Sequence, residues 1–297
     1  MSTFDHKSTA LFIPCTVDGY DRNTGSALIR AHWIAKYWPG AAVYNGEQAL
    51  SEWDLILFQK AYLSVWSQSI IDRLAALRNQ KGAPTLVLDL CDPDFLGEEH
   101  RRRLLDVLPA FDFATAPTQP LVDWLGQYLP AYLVPDTFDP EAITTYHGFE
   151  WAGRPRCCWI GYHTNRAALS PALLDVVRRF GLELDIIDVD RPVPFADWLQ
   201  MLTQYDVLLN PRPDWGKYRY KSNNKSIIAW AAGVAVAETA EDLRALADPE
   251  WHSGWIIYRL EELNLELYHA YYATAALYAA YRDYKEVYNA SSGLQSR

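Results

Sequence analysis

Asp206-Val-Leu-Leu-Asn210, a loop bearing Arg212, Lys217 and Arg219, and then Lys221-Ser-Asn-Asn-Lys225-Ser-Ile-Ile-Ala-Trp-Ala-Ala-Gly233-Val-Ala-Val236 form the stretch that decides the fold. Asp206 to Leu209, with its apolar run Val207-Leu-Leu209, reads as a short buried strand. Ser226 to Ala232 has the spacing of a helix, Gly233 closes it, and Val234 to Ala237 is the next strand. A strand, a cationic loop and a helix in that order put positive side chains and a helix N-terminus at the carboxyl end of a sheet, where open parallel sheets bind ligands. A small anion is the economical ligand for such a loop.

Upstream of this stretch the same alternation recurs. Cys157 to Tyr162 reads as a strand, Pro171 to Phe180 as a helix, Leu184 to Val189 as a strand and Phe195 to Thr203 as a helix; downstream lies a helix at Ala240 to Ala247. The first part of the chain alternates likewise. Strands are expected at Leu11 to Cys15, Asp54 to Phe58, Thr85 to Leu90, Phe111 to Ala114 and Ala131 to Val134. Helices are expected at Ser26 to Tyr37, Ser67 to Asn79 and Leu121 to Gln127, and a glycine-containing loop from Thr16 to Gly25. Repeated βαβ order predicts an α/β fold with parallel sheets covered on both faces.

Asp136 to Arg156, with Pro, Gly and charges and no apolar period, is the expected linker. It divides the chain into a Rossmann-like domain over 1–145 and a second over 146–297, facing a central cleft. Leu260 to Tyr288 reads as one long helix or two, rich in Leu, Ala and Tyr, able to pack back on the first domain.

The chain has 297 residues, half of them hydrophobic, and a formal net charge of -10. Its mean hydropathy is -0.17. These values suit a globular protein and oppose extensive disorder. The acidic balance repels nucleic-acid backbones on average, so nucleic acid is not the expected partner. No apolar run approaches the ~20 residues of a membrane span, and residues 1–10 are too polar for a secretory leader, which makes the cytoplasm the expected location. Cys15, Cys91, Cys157 and Cys158 lack zinc-site spacing and read as reduced core thiols.

Lys221 to Val236 resembles the donor-site segment of GT-B glycosyltransferases, especially the retaining glycogen- and sucrose-synthase-related group, whose form is Lys-x-x-Glu-x-x-Ala-x-Gly before a short strand. Lys225, Ala231 or Ala232, and Gly233 match it. Trp159-Ile-Gly161-Tyr-His163 resembles the start of that group's second domain, and Leu133-Val-Pro-Asp136-Thr-Phe-Asp139 its strand into the linker. The resemblance implies two Rossmann-like domains and transfer of a sugar from a nucleotide-sugar donor to a hydroxyl acceptor. It further implies retention, no metal, and no cofactor besides the nucleotide-sugar substrate. One position departs: Ile228 stands where the group carries a glutamate that commonly partners the donor ribose, and Glu238 is the nearest acidic replacement.

The residues fit that chemistry on their own terms. A leaving diphosphate needs cations and a helix N-terminus, which Lys225, Arg212 and Lys217 supply, with Asn223 and Asn224 as phosphate contacts or as a helix cap. Gly25 and Ser26 end a loop whose glycines allow close backbone approach to phosphate, or make a simple turn. Gly161, His163 and Asn210 lie at strand ends on the donor side. Asp92 and Asp94 are candidates for acceptor base or sugar-hydroxyl contact, or for capping the turn around Pro93. Asp92-Pro-Asp94 and Asp188-Val-Asp190 share the Asp-x-Asp spacing of metal sites, but the cationic loop removes the need for a metal. No Ser or Cys partners a His for a hydrolase triad, and no phosphate loop or Gly-x-Gly-x-x-Gly follows the first strand. The alternatives are a non-catalytic nucleotide- or sugar-binding protein on the same scaffold, and a transferase acting on modified nucleic-acid bases.

Overall fold

The structure is a computed structural model, which describes residues 8–15, 25–63, 72, 75–76, 78, 82–151, 153–189 and 193–293. Strands β1 (Ala10–Ile13), β2 (Ala41–Val43), β3 (Leu55–Gln59), β4 (Thr85–Asp89), β5 (Phe113–Ala116) and β6 (Ala131–Leu133) form one parallel sheet in the order β2-β1-β3-β4-β5-β6. Strands β7 (Arg156–Gly161), β8 (Glu183–Asp188), β9 (Val207–Leu209) and β10 (Ala235–Ala237) form a second, ordered β10-β9-β7-β8. The protein is therefore α/β with two parallel sheets.

The pleat sorts the first sheet's apolar runs to its two faces. Leu11, Ile13, Ile56, Phe58, Leu86 and Leu88 point to one face, where helices α2 (Glu98–Val107) and α3 (Gln119–Leu125) add Leu104, Val107, Leu121 and Leu125. Ala10, Phe12, Leu55, Leu57 and Val87 point to the other. That face is covered by α1 (residues 25–37) through Ala31, Ile34 and Ala35. Burial on both sides explains why these strands lack polar alternation.

The second sheet has its own core, in which Cys157, Trp159, Leu208 and Val236 meet α4 (Pro171–Phe180), α5 (Phe195–Leu202), α6 (Asn224–Ala231) and α7 (Ala240–Ala247). Two caps fix these helices as the sequence dictates. Ser170 accepts from the Leu173 amide before α4, and Thr239 with Asp242 forms a capping box on α7. Gly233 is required twice over: its φ is +75°, and a Cβ there would lie 2.5 Å from the Gly148 amide nitrogen. Ile29, Trp33, Phe138, Leu199, Ile227 and Ile228 form a smaller apolar cluster between the two sheets.

The tail forms two helices, α8 (His252–Leu263) and α9 (Ala270–Gly293). Asn264, at φ +45°, breaks them apart. α8 packs on the second core through Ile256, while α9 crosses back to the first sheet with Ala273, Leu277, Ala280 and Tyr281. No described helix is long and apolar enough to cross a membrane.

Several expectations shift. The strand expected at Phe111 begins at Phe113, because Leu108–Ala110 makes a 3-10 turn and the Asp112 carboxylate accepts the Leu86 amide at 2.8 Å. α2 and β2 were absent from the sequence-based expectations. Their segments read as a run of charges, Glu98 to Arg103, and as a three-residue apolar fragment. The loop from Thr16 to Thr24 lies outside the described residues, as does most of the helix expected over Ser67 to Asn79, of which Asp72, Ala75, Ala76 and Arg78 are helical.

Candidate functional site

The carboxyl ends of both sheets open on one cleft of about 220 Å³. In each sheet it lies beside a switch point, between β1 and β3 in the first and between β7 and β9 in the second, where the chain order reverses and helices diverge.

The second sheet supplies Trp159, Tyr162, Asn210 and, through the first turn of α6, Asn224 and Lys225. Lys225 is half-buried, and its ammonium donates to the Ile160 carbonyl at 2.9 Å. It reaches that oxygen past Gly161, where a Cβ would come within 3.5 Å of Nζ. No carboxylate pairs with it among the described residues. Burial, and then repulsion from Lys221, lower its pKa to about 8. Arg212 likewise spends its guanidinium on a backbone oxygen, that of Lys221 at 2.6 Å.

The first sheet's wall pairs its cations with its own carboxylates. Arg30, 1 % exposed, projects from the π-helical turn Leu28–His32 of α1. Its guanidinium donates to both Asp89 carboxylate oxygens at 3.1 and 2.5 Å, to Asp136 at 3.1 Å and to the Val134 carbonyl at 2.6 Å. Asp89 also accepts the Thr115 hydroxyl at 2.7 Å. Burial raises the Asp136 carboxyl above its ordinary value, against the pull of Arg30.

Beside this network Lys60, in the left-handed region at φ +47°, bridges Asp92 at 2.6 Å and Asp94 at 3.2 Å. Tyr62 donates to Asp94 at 2.6 Å. A non-glycine residue at positive φ is a strained conformation that surrounding contacts must hold, here the bonds to Asp92, which lines the cleft, and Asp94. Burial would raise the Asp92 carboxyl, but Lys60 and Lys221 outweigh it and bring the pKa to about 2.

The loop ahead of α6 ties the two walls together. Lys221 donates to Asp92 and Ser222 to Asp136, and the Thr118 hydroxyl donates to the Tyr220 carbonyl at 3.0 Å. Among the described residues four cationic side chains line the cleft, Arg30, Lys221, Arg212 and Lys225, against the carboxylates of Asp92 and Asp136. Since Arg30 and Lys221 are paired, the charge left over belongs to Lys225 and Arg212. In a chain of net charge -10 this is a local positive site.

The sequence-based candidates divide accordingly. Ser26, Asp92, Asn210, Arg212, Asn224 and Lys225 converge on the cleft. Asp94 and Lys217 line a shallower pocket that shares Asp92, Asn165 and Lys221 with it. Gly161 stands behind Lys225. Gly25 starts α1 without lining the cleft, His163 is exposed and does not line it although its neighbour Tyr162 does, and Asn223 donates to the Tyr268 hydroxyl at 3.3 Å. Asn223 occupies the N-cap position of α6 without a capping side-chain bond. Ile228 is buried in the apolar cluster between the sheets, and Glu238 accepts the Ser226 hydroxyl at 2.6 Å.

The chain resembles AviGT4 in overall path. The crystal structure of AviGT4, a glycosyltransferase involved in Avilamycin A biosynthesis, superposes with a TM-score of 0.49 at 13% identity, covering 93% of this chain and 97% of that one. No family model matches the sequence. No curated protein matches it either.

Sequence patterns missed Arg30, Lys60, Asp89 and Asp136 as site residues. Lys60 had a readable signal, because with Gln59 it directly follows the apolar run Leu55-Ile-Leu-Phe58 at a strand's carboxyl end. Arg30 had none: inside a helix its charge reads as surface, and its partners lie 59 and 106 residues away.

Proposed function

We propose that the protein is a glycosyltransferase of the GT-B kind, with a first domain over 1–145, a donor-binding domain over 146–297, and a nucleotide-sugar diphosphate seated against Lys225 and Arg212. The observation that carries this is the half-buried Lys225 ammonium, in the first turn of α6, with a backbone carbonyl as its partner. Such a cation has lost hydration without gaining an ion pair, so an anion entering the cleft recovers both. As the bond to the sugar breaks, charge grows on the leaving diphosphate, and fixed cations at that point stabilise the transition state.

In this mechanism Lys225 neutralises the diphosphate from beneath and Arg212 from the cleft's rim. The α6 N-terminus adds its dipole. Asp92, ionised and clamped by Lys60 and Lys221, positions Lys221 and is a poor proton acceptor. Because the cations supply the charge, transfer needs no metal; stereochemistry follows the retaining group that the sequence resembles.

The test is nucleotide binding by Lys225→Ala, screened against nucleoside diphosphates by calorimetry. Loss of a charged contact in a desolvated site costs about 2–5 kcal/mol. Affinity unchanged within error in a folded variant sinks the proposal.

A second reading, a binding protein without turnover, is favoured by Ile228, which fills an apolar cluster and offers the ligand no carboxylate. Donor binding with no hydrolysis or transfer over a broad acceptor panel separates the two.

A further inference from the structure

Behind Lys225 runs a polar chain that sets which face of an amide the ligand meets. Glu238 follows β10, Ser226 lies on α6, and Asn210 follows β9. Ser226, 3 % exposed, has its hydroxyl 2.6 Å from Glu238 Oε1 and 2.9 Å from Asn210 Nδ2. A carboxylate only accepts, so the hydroxyl proton goes to Glu238. The Ser226 oxygen then accepts from Asn210, and the amide group facing it must be the NH2. Asn210 Oδ1 is thereby left free; no described residue donates to it, and Asn210 lines the cleft.

A second amide in the same wall is in the same condition. Asn165 lines both the cleft and the adjoining pocket, and its Oδ1 is buried without a hydrogen-bond partner. A buried amide oxygen left unpaired costs about 1–3 kcal/mol, so a site that keeps one is matched to a donor that arrives later. The cleft thus carries donors at Lys225 and Arg212 and acceptors at Asn210 and Asn165.

We infer that Asn210, oriented by the Ser226–Glu238 chain, and Asn165 recognise hydroxyl groups of a sugar ring joined to the anion that Lys225 holds. Ser226 is a positioning residue, which acts through Asn210 without touching the ligand. The inference rests on the nucleotide-sugar reading of the same cleft and adds to it the residues that recognise the sugar hydroxyls and the residue that orients one of them.

The experiment measures affinity for inorganic pyrophosphate, for ADP, CDP, GDP, UDP and dTDP, and for the glucose conjugate of each. The wild type is expected to bind at least one sugar-bearing probe more tightly than pyrophosphate. Asn210→Leu should then lose about tenfold in affinity for that probe, and pyrophosphate affinity should hold within about twofold. Ser226→Ala, which frees the amide to turn, should lose about threefold for the sugar-bearing probe alone, a change of selectivity that a general loss of stability does not produce. Asn210→Ala serves if the leucine variant does not fold.

A loss shared by a nucleoside diphosphate and its conjugate puts the hydroxyl on the ribose; a loss confined to the conjugate puts it on the transferred sugar. Either supports the inference. An unchanged selectivity ratio in the Asn210 variants overturns it. If pyrophosphate binds and no sugar-bearing probe exceeds it, the hydroxyl inference alone fails; if no probe binds, the anion reading fails too.

Discussion

The two walls of the cleft are built from similar residue types and put to opposite use. On the first sheet's wall the cations of the described residues are paired: Arg30 with Asp89 and Asp136, Lys60 with Asp92 and Asp94. On the second, Lys225 and Arg212 rest on carbonyl oxygens, and Asn210 and Asn165 keep an acceptor unspent. Satisfied networks hold a shape, and unsatisfied groups await a ligand. One wall braces while the other binds.

The sharpest break of this contrast is in stability. Arg30→Met removes the cation from two buried carboxylates and should destabilise the fold by about 3–5 kcal/mol, read from urea denaturation. Lys225→Ala, by contrast, should leave the midpoint level or raise it while abolishing diphosphate binding. Equal destabilisation by both variants erases the distinction between the walls.

pH provides the next separation. Lys225 is charged below about 8 and loses its proton above, so diphosphate affinity should fall as pH rises through that value. The same depressed value means that the folded state binds fewer protons than the unfolded one between about 8 and 10.5, so this residue makes stability rise with pH across that window. Asp92 on the bracing wall behaves differently: its contribution is present above the ordinary value of 3.8 and is lost as pH falls through about 2. Titration of affinity and of the unfolding midpoint, in wild type and Lys225→Ala, checks both signs.

Smaller effects sharpen the picture within the binding wall. Arg212 is exposed, so Arg212→Ala should cost only about 0.5–1 kcal/mol of diphosphate affinity, and less at high salt. Prolonged treatment with a chelator should leave diphosphate binding unaltered. A chelator-sensitive affinity would assign part of the neutralisation to a metal instead of the lysine.

The binding wall was the more legible of the two. Lys225 announces itself because a strand, a basic loop, a helix and Gly233 follow one another within some thirty residues, and local order in such a unit dictates proximity. The apolar strands were readable for the same reason, with boundaries displaced by a residue or two wherever a 3-10 turn or a side-chain bond intervened. The bracing wall is assembled across distance, joining Arg30 to Asp136 and Lys60 to Asp92, and no local period encodes those meetings. Lys221 and Asp92 were each visible as single charges; their pairing across 129 positions was not. The Ser226–Glu238 chain was hidden because a serine inside an apolar helix reads as filler.

The chain passes between the two sheets twice, once before β7 and once between α8 and α9, and the passages are fastened together. Phe138 and His269 form a parallel bridge, in which the Phe138 amide donates to the Tyr268 carbonyl and the Ala270 amide to the Phe138 carbonyl, each at 3.0 Å. The two crossings are thus joined side by side like a two-ply cord, and separating them costs both backbone hydrogen bonds together with the bond from the Thr137 hydroxyl to the Tyr268 carbonyl.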